Sequence, residues 1–82
     1  MTFKQELQEF LREKLFQNAA NSEIGENDPL LESGMIDSMG LLQIITFIEE
    51  RTRIRVPDSE VTPDNFNSVA DINTLVDRLR NG

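Results

Sequence analysis

One short segment of the 82-residue chain could take part in chemistry, namely residues 34–40, with the sequence GMIDSMG. It places the hydroxyl of Ser38 beside the carboxylate of Asp37. The chain contains no histidine, so no imidazole can take the proton of Ser38, and a triad-type nucleophile is excluded. Ser38 could instead be an acceptor whose hydroxyl another enzyme activates. It could also simply cap a helix, which is the commoner role of a serine at such a position.

The composition narrows the chemistry further. With neither cysteine nor histidine, thiolate nucleophiles, disulfides and the usual zinc ligands are absent. The acids of residues 18–37 could in principle hold calcium, but their spacing does not match an EF-hand loop. We therefore assign no catalytic and no metal-binding residue, and we expect the protein not to be an enzyme.

The net charge of −7 opposes binding to nucleic acid or anionic lipid and favours a basic partner. The charge is uneven. Residues 18–38 contain five acids and no base, whereas residues 39–56 contain two acids and three arginines. No apolar run approaches the roughly 20 residues of a membrane span, and the first residues lack the apolar core of a signal peptide. We expect a cytoplasmic protein with no membrane insertion.

Apolar periodicity predicts the elements that position residues 34–40. A first helix, capped by Thr2 and fading near Asn18, has one apolar stripe made of Phe3, Leu7, Phe10, Leu11 and Leu15. Residues 18–37 show no helical period and contain turn signals. This long loop should be pinned to the core by its apolar residues, which are Ile24, Leu30, Leu31, Met35 and Ile36.

A central helix is predicted next, capped by Asp37 or Ser38. Six of the eight residues from Leu41 to Ile48 are large and apolar, so this helix should be covered on most sides. An extended connection over residues 54–57 follows. Thr62 and Pro63 predict a single helical turn that ends near Phe66.

Ser68 then predicts the start of a last helix, in a capping box with Asp71. The stripe of this helix consists of Val69, Ile72, Leu75, Val76 and Leu79. Three main helices, one short helix and a long first loop make a small all-α four-helix bundle. Residues 1–82 should form a single, monomeric domain.

The pattern Leu31-x-x-Gly34-Met35-Ile36-Asp37-Ser38-Met39, in an acidic helical chain of this length, resembles the 4′-phosphopantetheine attachment site of acyl and peptidyl carrier proteins. The resemblance covers essentially the whole chain, including Val56-Pro57 and residues 66–72. It implies a bundle of the acyl-carrier-protein type. It also implies that a phosphopantetheinyl transferase moves the prosthetic group from coenzyme A onto Ser38, where the terminal thiol then carries acyl or aminoacyl cargo as a thioester.

The same resemblance implies roles for the neighbours of Ser38. Asp37 would help the transferase place its metal and basic groups. An exposed apolar patch of Met39, Leu42 and Ile36 would be read by partners, although core packing of Met39 and Leu42 is an equally open interpretation. The further partners implied are an acyl- or aminoacyl-loading ligase or synthetase and a downstream transferase.

The chain departs from the carriers of fatty-acid synthesis. Gly40 and Gln43 stand where acids are common in those carriers, and three arginines lie near the end of the central helix, at Arg51, Arg53 and Arg55. The GMIDSMG form is closer to D-alanyl carrier proteins and other freestanding carriers of specialised pathways. An alternative from another class remains, an acidic helical protein-interaction domain in which Ser38 is only a structural helix cap.

Overall fold

The computed structural model describes residues 2–15, 25–34 and 36–81. Within them every regular element is helical, as predicted, and no strand occurs. Helix α1 (Phe3–Phe10) continues as a π-helix (Leu11–Leu15), and α2 spans Ser38–Thr52. A 3₁₀ turn (Asp58–Glu60), the short α3 (Pro63–Phe66) and α4 (Val69–Asn81) complete the fold.

The hydrophobic core draws on α1, α2, α3, α4 and the loop that precedes α2. Ile48, in the apolar run of α2, and Leu75, in the apolar stripe of α4, are completely buried, as expected. The buried apolar side chains are Leu7, Leu11, Leu30, Ile36, Ile44, Ile48, Val56, Phe66, Val69, Ile72, Leu75 and Val76. None of the helices formed by the described residues has the length and apolarity needed to cross a bilayer.

Side-chain caps begin the helices where the sequence predicts. Thr2 Oγ1 accepts a hydrogen bond from the Gln5 N–H, and the Gln5 side chain accepts one in return from the Thr2 N–H, which satisfies two donors at the start of α1. Thr62 caps α3, with Pro63 in its first turn. At the start of α4 the predicted capping box is only half formed: the Asp71 N–H donates to Ser68 Oγ over 3.0 Å, but within residues 36–81 the Ser68 N–H makes no return bond to the Asp71 carboxylate.

Two helical segments differ from the expectation. The first helix was expected to stay α-helical until near Asn18, but it widens to a π-helix at Leu11, and residues 16–24 lie outside the described parts. Residues 54–57, where an extended connection was predicted, form no helix and Pro57 is extended, but a 3₁₀ turn that the sequence did not predict follows them.

The loop before α2 is pinned to the rest of the molecule, as expected. Leu30 is fully buried, and its N–H donates to the backbone carbonyl of Asn67. The Asn67 side chain accepts from the N–H groups of Leu31 and Glu32, each over 3.2 Å. Of the predicted anchors, Ile24 and Met35 lie outside the described residues. The loop therefore delivers residues 36–38 to the start of α2 from a fixed position.

Candidate functional site

The start of α2 assigns different roles to Asp37 and Ser38. Asp37 is the N-cap, because its Oδ1 accepts from the Gly40 N–H over 2.9 Å and its backbone carbonyl accepts from the Leu41 N–H. Ser38 is the first residue of the helix itself. The hypothesis that Ser38 serves as the helix cap is therefore wrong, since the carboxylate of Asp37 occupies that role.

The Ser38 side chain is exposed, and its hydroxyl makes no hydrogen bond to any residue that the structure describes. Backbone N–H groups in the first turn of a helix have no acceptor within the helix, and the positive end of the helix dipole lies there. The 15 residues of α2 place this end directly at Ser38. The arrangement suits a hydroxyl that is joined to a phosphate group.

Ile36 does not belong to an exposed patch, and this part of the prediction is wrong. Its side chain is only 5% exposed and lies in the hydrophobic core. The physical reason is Gly40: a Cβ at that position would lie 3.2 Å from the Ile36 Cβ, so the bare glycine lets Ile36 pack closely against α2. Ile36 thus fixes the loop beside Ser38 instead of facing a partner.

Met39 and Leu42 are exposed, by 66% and 60%, so the core-packing interpretation of these two residues is wrong. We expected α2 to be covered on most sides, but the face that carries Met39 and Leu42 is exposed. Both residues line an apolar groove of about 390 Å³ between α1 and α2, whose other lining residues are Phe10, Gln43, Thr46, Phe47 and Glu50. Exposed apolar side chains that lie together on a surface suit contact with another protein.

Phe10 and Phe47 form the inner wall of this groove, with ring centroids 4.4 Å apart in a stacked arrangement. Sequence analysis did not assign Phe47 to the site, because an aromatic residue in an apolar run is not distinguishable from a core residue. The helical spacing from Met39 to Leu42 to Thr46 to Phe47 was the available signal, since these positions fall on neighbouring turns of one helix.

Two carboxylates of the loop before α2 have partners within the protein. Glu26 pairs with Lys4 of α1 over 2.8 Å, and Asp28 Oδ2 accepts from the Gly25 N–H over 2.8 Å. Among residues 2–15, 25–34 and 36–81, no group of three or more His, Cys, Asp or Glu side chains is arranged to hold a metal ion.

The fold and the site together define a small helical domain that presents one unpartnered serine hydroxyl at the start of its central helix. The chain belongs to the phosphopantetheine attachment site family, whose pattern matches residues 3–79. It is a carrier protein with 4′-phosphopantetheine as its covalent prosthetic group. The residues at the start of α2 fit that group, because they offer an exposed hydroxyl beside unpaired backbone N–H groups.

Sequence relatives point to the freestanding carriers. The chain is 37% identical over 81 residues to a D-alanyl carrier protein from Streptococcus sanguinis, which covers 99% of both chains. It is 40% identical over 55 residues to a D-alanyl carrier protein from Streptococcus gordonii, covering 67% of this chain and 70% of the relative.

Solved structures share the fold. A chain in the crystal structure of an FAD-dependent dehydrogenase superposes with a TM-score of 0.78 at 30% identity, covering 87% of this chain and 99% of that one. The crystal structure of Bradyrhizobium japonicum glycine:[carrier protein] ligase, complexed with its cognate carrier protein and an analogue of glycyl adenylate, contains a chain with a TM-score of 0.73. That chain is 25% identical, and the superposition covers 94% of this protein and 99% of that chain.

Proposed function

We propose that Ser38 is the attachment point of the 4′-phosphopantetheine group and that the protein presents aminoacyl cargo to dedicated partner enzymes. One observation carries the proposal: Asp37 performs the capping role, which leaves the exposed Ser38 hydroxyl without a partner among the described residues. A serine retained only for helix stability would be expected to use its hydroxyl within the fold.

The residues around Ser38 support this role in two ways. The first-turn N–H groups of α2 other than that of Gly40, which donates to Asp37, can donate to the phosphodiester oxygens, and the helix dipole favours the negative charge of that group. Asp37 keeps one carboxylate oxygen on Gly40 and has an exposed side chain, so its charge is available to the transferase that modifies Ser38. The bound group supplies a terminal thiol for thioester chemistry, which a cysteine-free chain does not possess.

Aminoacyl cargo is favoured over fatty acyl cargo by the comparisons and by α2. The relatives named above are D-alanyl carriers, and one fold neighbour was solved with a glycine ligase. From its first residue to Ile48, α2 carries no charged side chain, so a partner that recognises an acidic helix finds little to bind there. We assign loading to a dedicated ligase or synthetase, followed by a downstream transferase that removes the cargo.

In this proposal the chain performs no catalytic step of its own. It supplies an attachment point, and Met39 and Leu42 supply a contact surface for the partner enzymes. The single-domain organisation, the monomeric state and the cytoplasmic location expected from the sequence stay predictions.

Co-expression with a broad-specificity phosphopantetheinyl transferase tests the attachment point. The intact mass of the wild-type protein should rise by one phosphopantetheinyl group, and Ser38→Ala should abolish the rise. Ser59→Ala is the matched control, because Ser59 is also exposed but lies in the unrelated 3₁₀ turn, and this variant should be modified like the wild type. The proposal would be contradicted if Ser38→Ala were still modified, or if several transferases all failed to modify the wild-type protein.

The cargo is tested by offering the holo form amino acids and fatty acids with candidate ligases and reading the loaded mass. Amino-acid loading is expected. Exclusive loading by the malonyl transferase of fatty-acid synthesis would overturn the assignment to an aminoacyl pathway while leaving Ser38 as the attachment point.

A further inference from the structure

A row of four exposed side chains runs along α2 from the proposed attachment residue. Its members stand four positions apart, and side chains at that spacing lie one above another on a helix. They are Ser38, Leu42, Thr46 and Glu50, which we name the α2 row. All but Ser38 line the apolar groove between α1 and α2. The groove therefore follows the row from beside Ser38 to the last turn of the helix.

The polar side chains of the α2 row beyond Ser38 have no partner among the described residues. Thr52, on the same helix, donates its hydroxyl to the Ile48 carbonyl over 2.6 Å, whereas the Thr46 hydroxyl makes no hydrogen bond within residues 2–15, 25–34 and 36–81. Within the same ranges, Glu50 forms no ion pair. The row thus presents a hydroxyl and a carboxylate along an apolar surface, which suits a ligand that alternates apolar and polar groups.

The charges at the two ends of α2 favour one orientation of such a ligand. The first turn, at Ser38, is the positive end of the helix dipole, and the last turn, at Glu50, is the negative end. Nearby Arg51 is paired with Glu6 over 3.4 Å. Glu50 also lines an adjoining open hollow of about 1000 Å³, whose charged lining residues are Glu49, Glu50, Asp58, Arg53 and Arg55. Three acids against two bases leave this end negative, so an anionic group suits Ser38 and a cation suits Glu50.

The loaded arm proposed for Ser38 has its chemical groups in the same order. The phosphate comes first, then a carbon that bears a pair of methyl groups, then a first and a second amide, the sulfur and, in an aminoacyl thioester, an ammonium group. An extended chain gains about 1.2 Å per bond, so the dimethyl carbon, the second amide and the ammonium lie about 5, about 12 and about 20 Å from the Ser38 oxygen. At a rise of about 1.5 Å per residue, the later members of the row lie about 6, about 12 and about 18 Å beyond Ser38. Each group can therefore reach the side chain that matches its chemistry.

We propose that the aminoacyl-loaded arm lies back along the α2 row. Its methyl groups contact Met39 and Leu42. Its second amide meets the Thr46 hydroxyl, and its ammonium group pairs with Glu50. This inference rests on the proposed carrier function. A fatty acyl cargo has no cation for Glu50, so the row distinguishes the two classes of cargo. A partner enzyme that contacts Met39 and Leu42 displaces the arm, which couples docking to release of the cargo.

The test compares two arms that differ only in the ammonium group. A phosphopantetheinyl transferase attaches coenzyme A analogues that hold a glycyl or an acetyl group through an amide in place of the thioester, so that neither group is lost by hydrolysis. Backbone amide NMR spectra of both forms are compared with that of the unmodified chain. The glycyl arm should change chemical shifts along the row as far as Glu50, with nuclear Overhauser contacts from its methyl groups to Leu42. The changes caused by the acetyl arm should end near Thr46.

Glu50→Gln isolates the ion pair. The ratio of docked to free glycyl arm, measured from the shift change at Thr46, should fall about 1.5- to 5-fold, which is the range for one exposed ion pair, and about 0.5 M NaCl should lower it in the wild type as well. The acetyl arm should respond to neither change. Glu9→Gln is the matched control, because Glu9 is exposed and helical but does not line the groove, and it changes the net charge equally. It should leave the glycyl arm docked as in the wild type.

Three results would overturn the inference while leaving Ser38 as the attachment point. The first is shift changes that stop within the first turn of α2 for both arms, which would show a free arm. The second is contacts with Ile54 and Val61 in the adjoining hollow instead of the row. The third is an equal response of both arms to Glu50→Gln, or of the glycyl arm to Glu9→Gln. A wild-type protein that receives neither arm would overturn the proposed function, and this inference with it.

Discussion

At the scale of single residues, Asp37 and Ser38 have different roles at the start of α2: Asp37 caps the helix, and the Ser38 hydroxyl is left without a partner among the described residues. Either side chain could have capped α2, because both offer an oxygen to a first-turn N–H. The structure gives that role to Asp37, whose Oδ1 accepts from Gly40 over 2.9 Å. The Ser38 hydroxyl takes no part in the cap, so the proposed modification would not remove a hydrogen bond that stabilises the helix.

Two substitutions at Asp37 separate its cap from its charge. Asp37→Asn keeps an oxygen for the Gly40 N–H and should change the free energy of unfolding little, whereas Asp37→Ala should cost about 1 kcal/mol. If the transferase uses the carboxylate, both variants should be modified more slowly than the wild type. Denaturation curves measure the change in stability, and the time course of the mass increase measures the rate of modification. If Asp37→Asn were modified as fast as the wild type, the carboxylate charge would have no role in modification.

The sequence predicted where the central helix begins and which residues stand there, but not how the neighbouring side chains are placed. The motif identified Asp37 and Ser38, because their types and their place before an apolar run are visible in the chain. It misplaced Ile36, because burial of that side chain depends on Gly40 four residues later offering a bare backbone. Whether Met39 and Leu42 are exposed was equally undecided, since periodicity alone does not show which helix face another element covers.

At the scale of elements, the loop before α2 is held by the junction between α3 and α4. Asn67 contributes its backbone carbonyl to Leu30 and its side-chain oxygen to Leu31 and Glu32. A second tie runs from the Ala70 N–H to the Glu26 carbonyl over 2.8 Å. The position of Ser38 therefore depends on residues about thirty positions later in the chain, so the far end of the bundle helps to position the site.

Asn67→Ala should loosen this junction. It leaves the N–H groups of Leu31 and Glu32 without their acceptor, which should cost about 1 kcal/mol of the free energy of unfolding, because water can reach these N–H groups, and should speed amide exchange at both positions. Asn27→Ala serves as the control, because Asn27 is exposed in the same loop. Unchanged exchange at Leu31 and Glu32 in Asn67→Ala would show that Asn67 does not hold the loop.

Helix starts were predictable because local chemistry sets them. The Thr62-Pro63 pair predicts the start of α3, and Ser68 predicts the start of α4. Thr62 and Ser68 both accept a hydrogen bond from a first-turn N–H, as expected. The π-helix at Leu11–Leu15 and the 3₁₀ turn at Asp58–Glu60 were not predicted, because no residue type there distinguishes them from an α-helix or an extended chain. Asn67 was missed because its partners are 35 and 36 residues away.

At the scale of the whole molecule, the core and the site are separate. The buried apolar residues come from every helix, whereas Ser38, Met39 and Leu42 lie on the surface. A group joined to Ser38 should therefore leave the fold almost unchanged. Charged residues are also unevenly placed. Residues 18–38 contain five acids, whereas α2 has no charged side chain from Ser38 to Ile48.

Three alanine substitutions test this separation. Leu75→Ala removes a fully buried side chain and should cost about 2–5 kcal/mol, as should Ile48→Ala, which is a large share of the stability of a small domain. Leu42→Ala removes the same atoms from a residue that is 60% exposed and should cost far less. Thermal unfolding measures all three; a melting temperature unmoved in both core variants would show that the core is assigned wrongly.

The central claim is that the phosphopantetheinyl group is attached to the hydroxyl of Ser38, which is one of five serines in the chain. Tandem mass spectrometry of the intact holo protein, with fragmentation that preserves the phosphodiester, locates the phosphopantetheinyl group directly. The structure predicts the group on Ser38 alone, with every fragment that lacks Ser38 at its unmodified mass. Modification found on Ser33, Ser59 or any other residue, with Ser38 bare, would contradict the account.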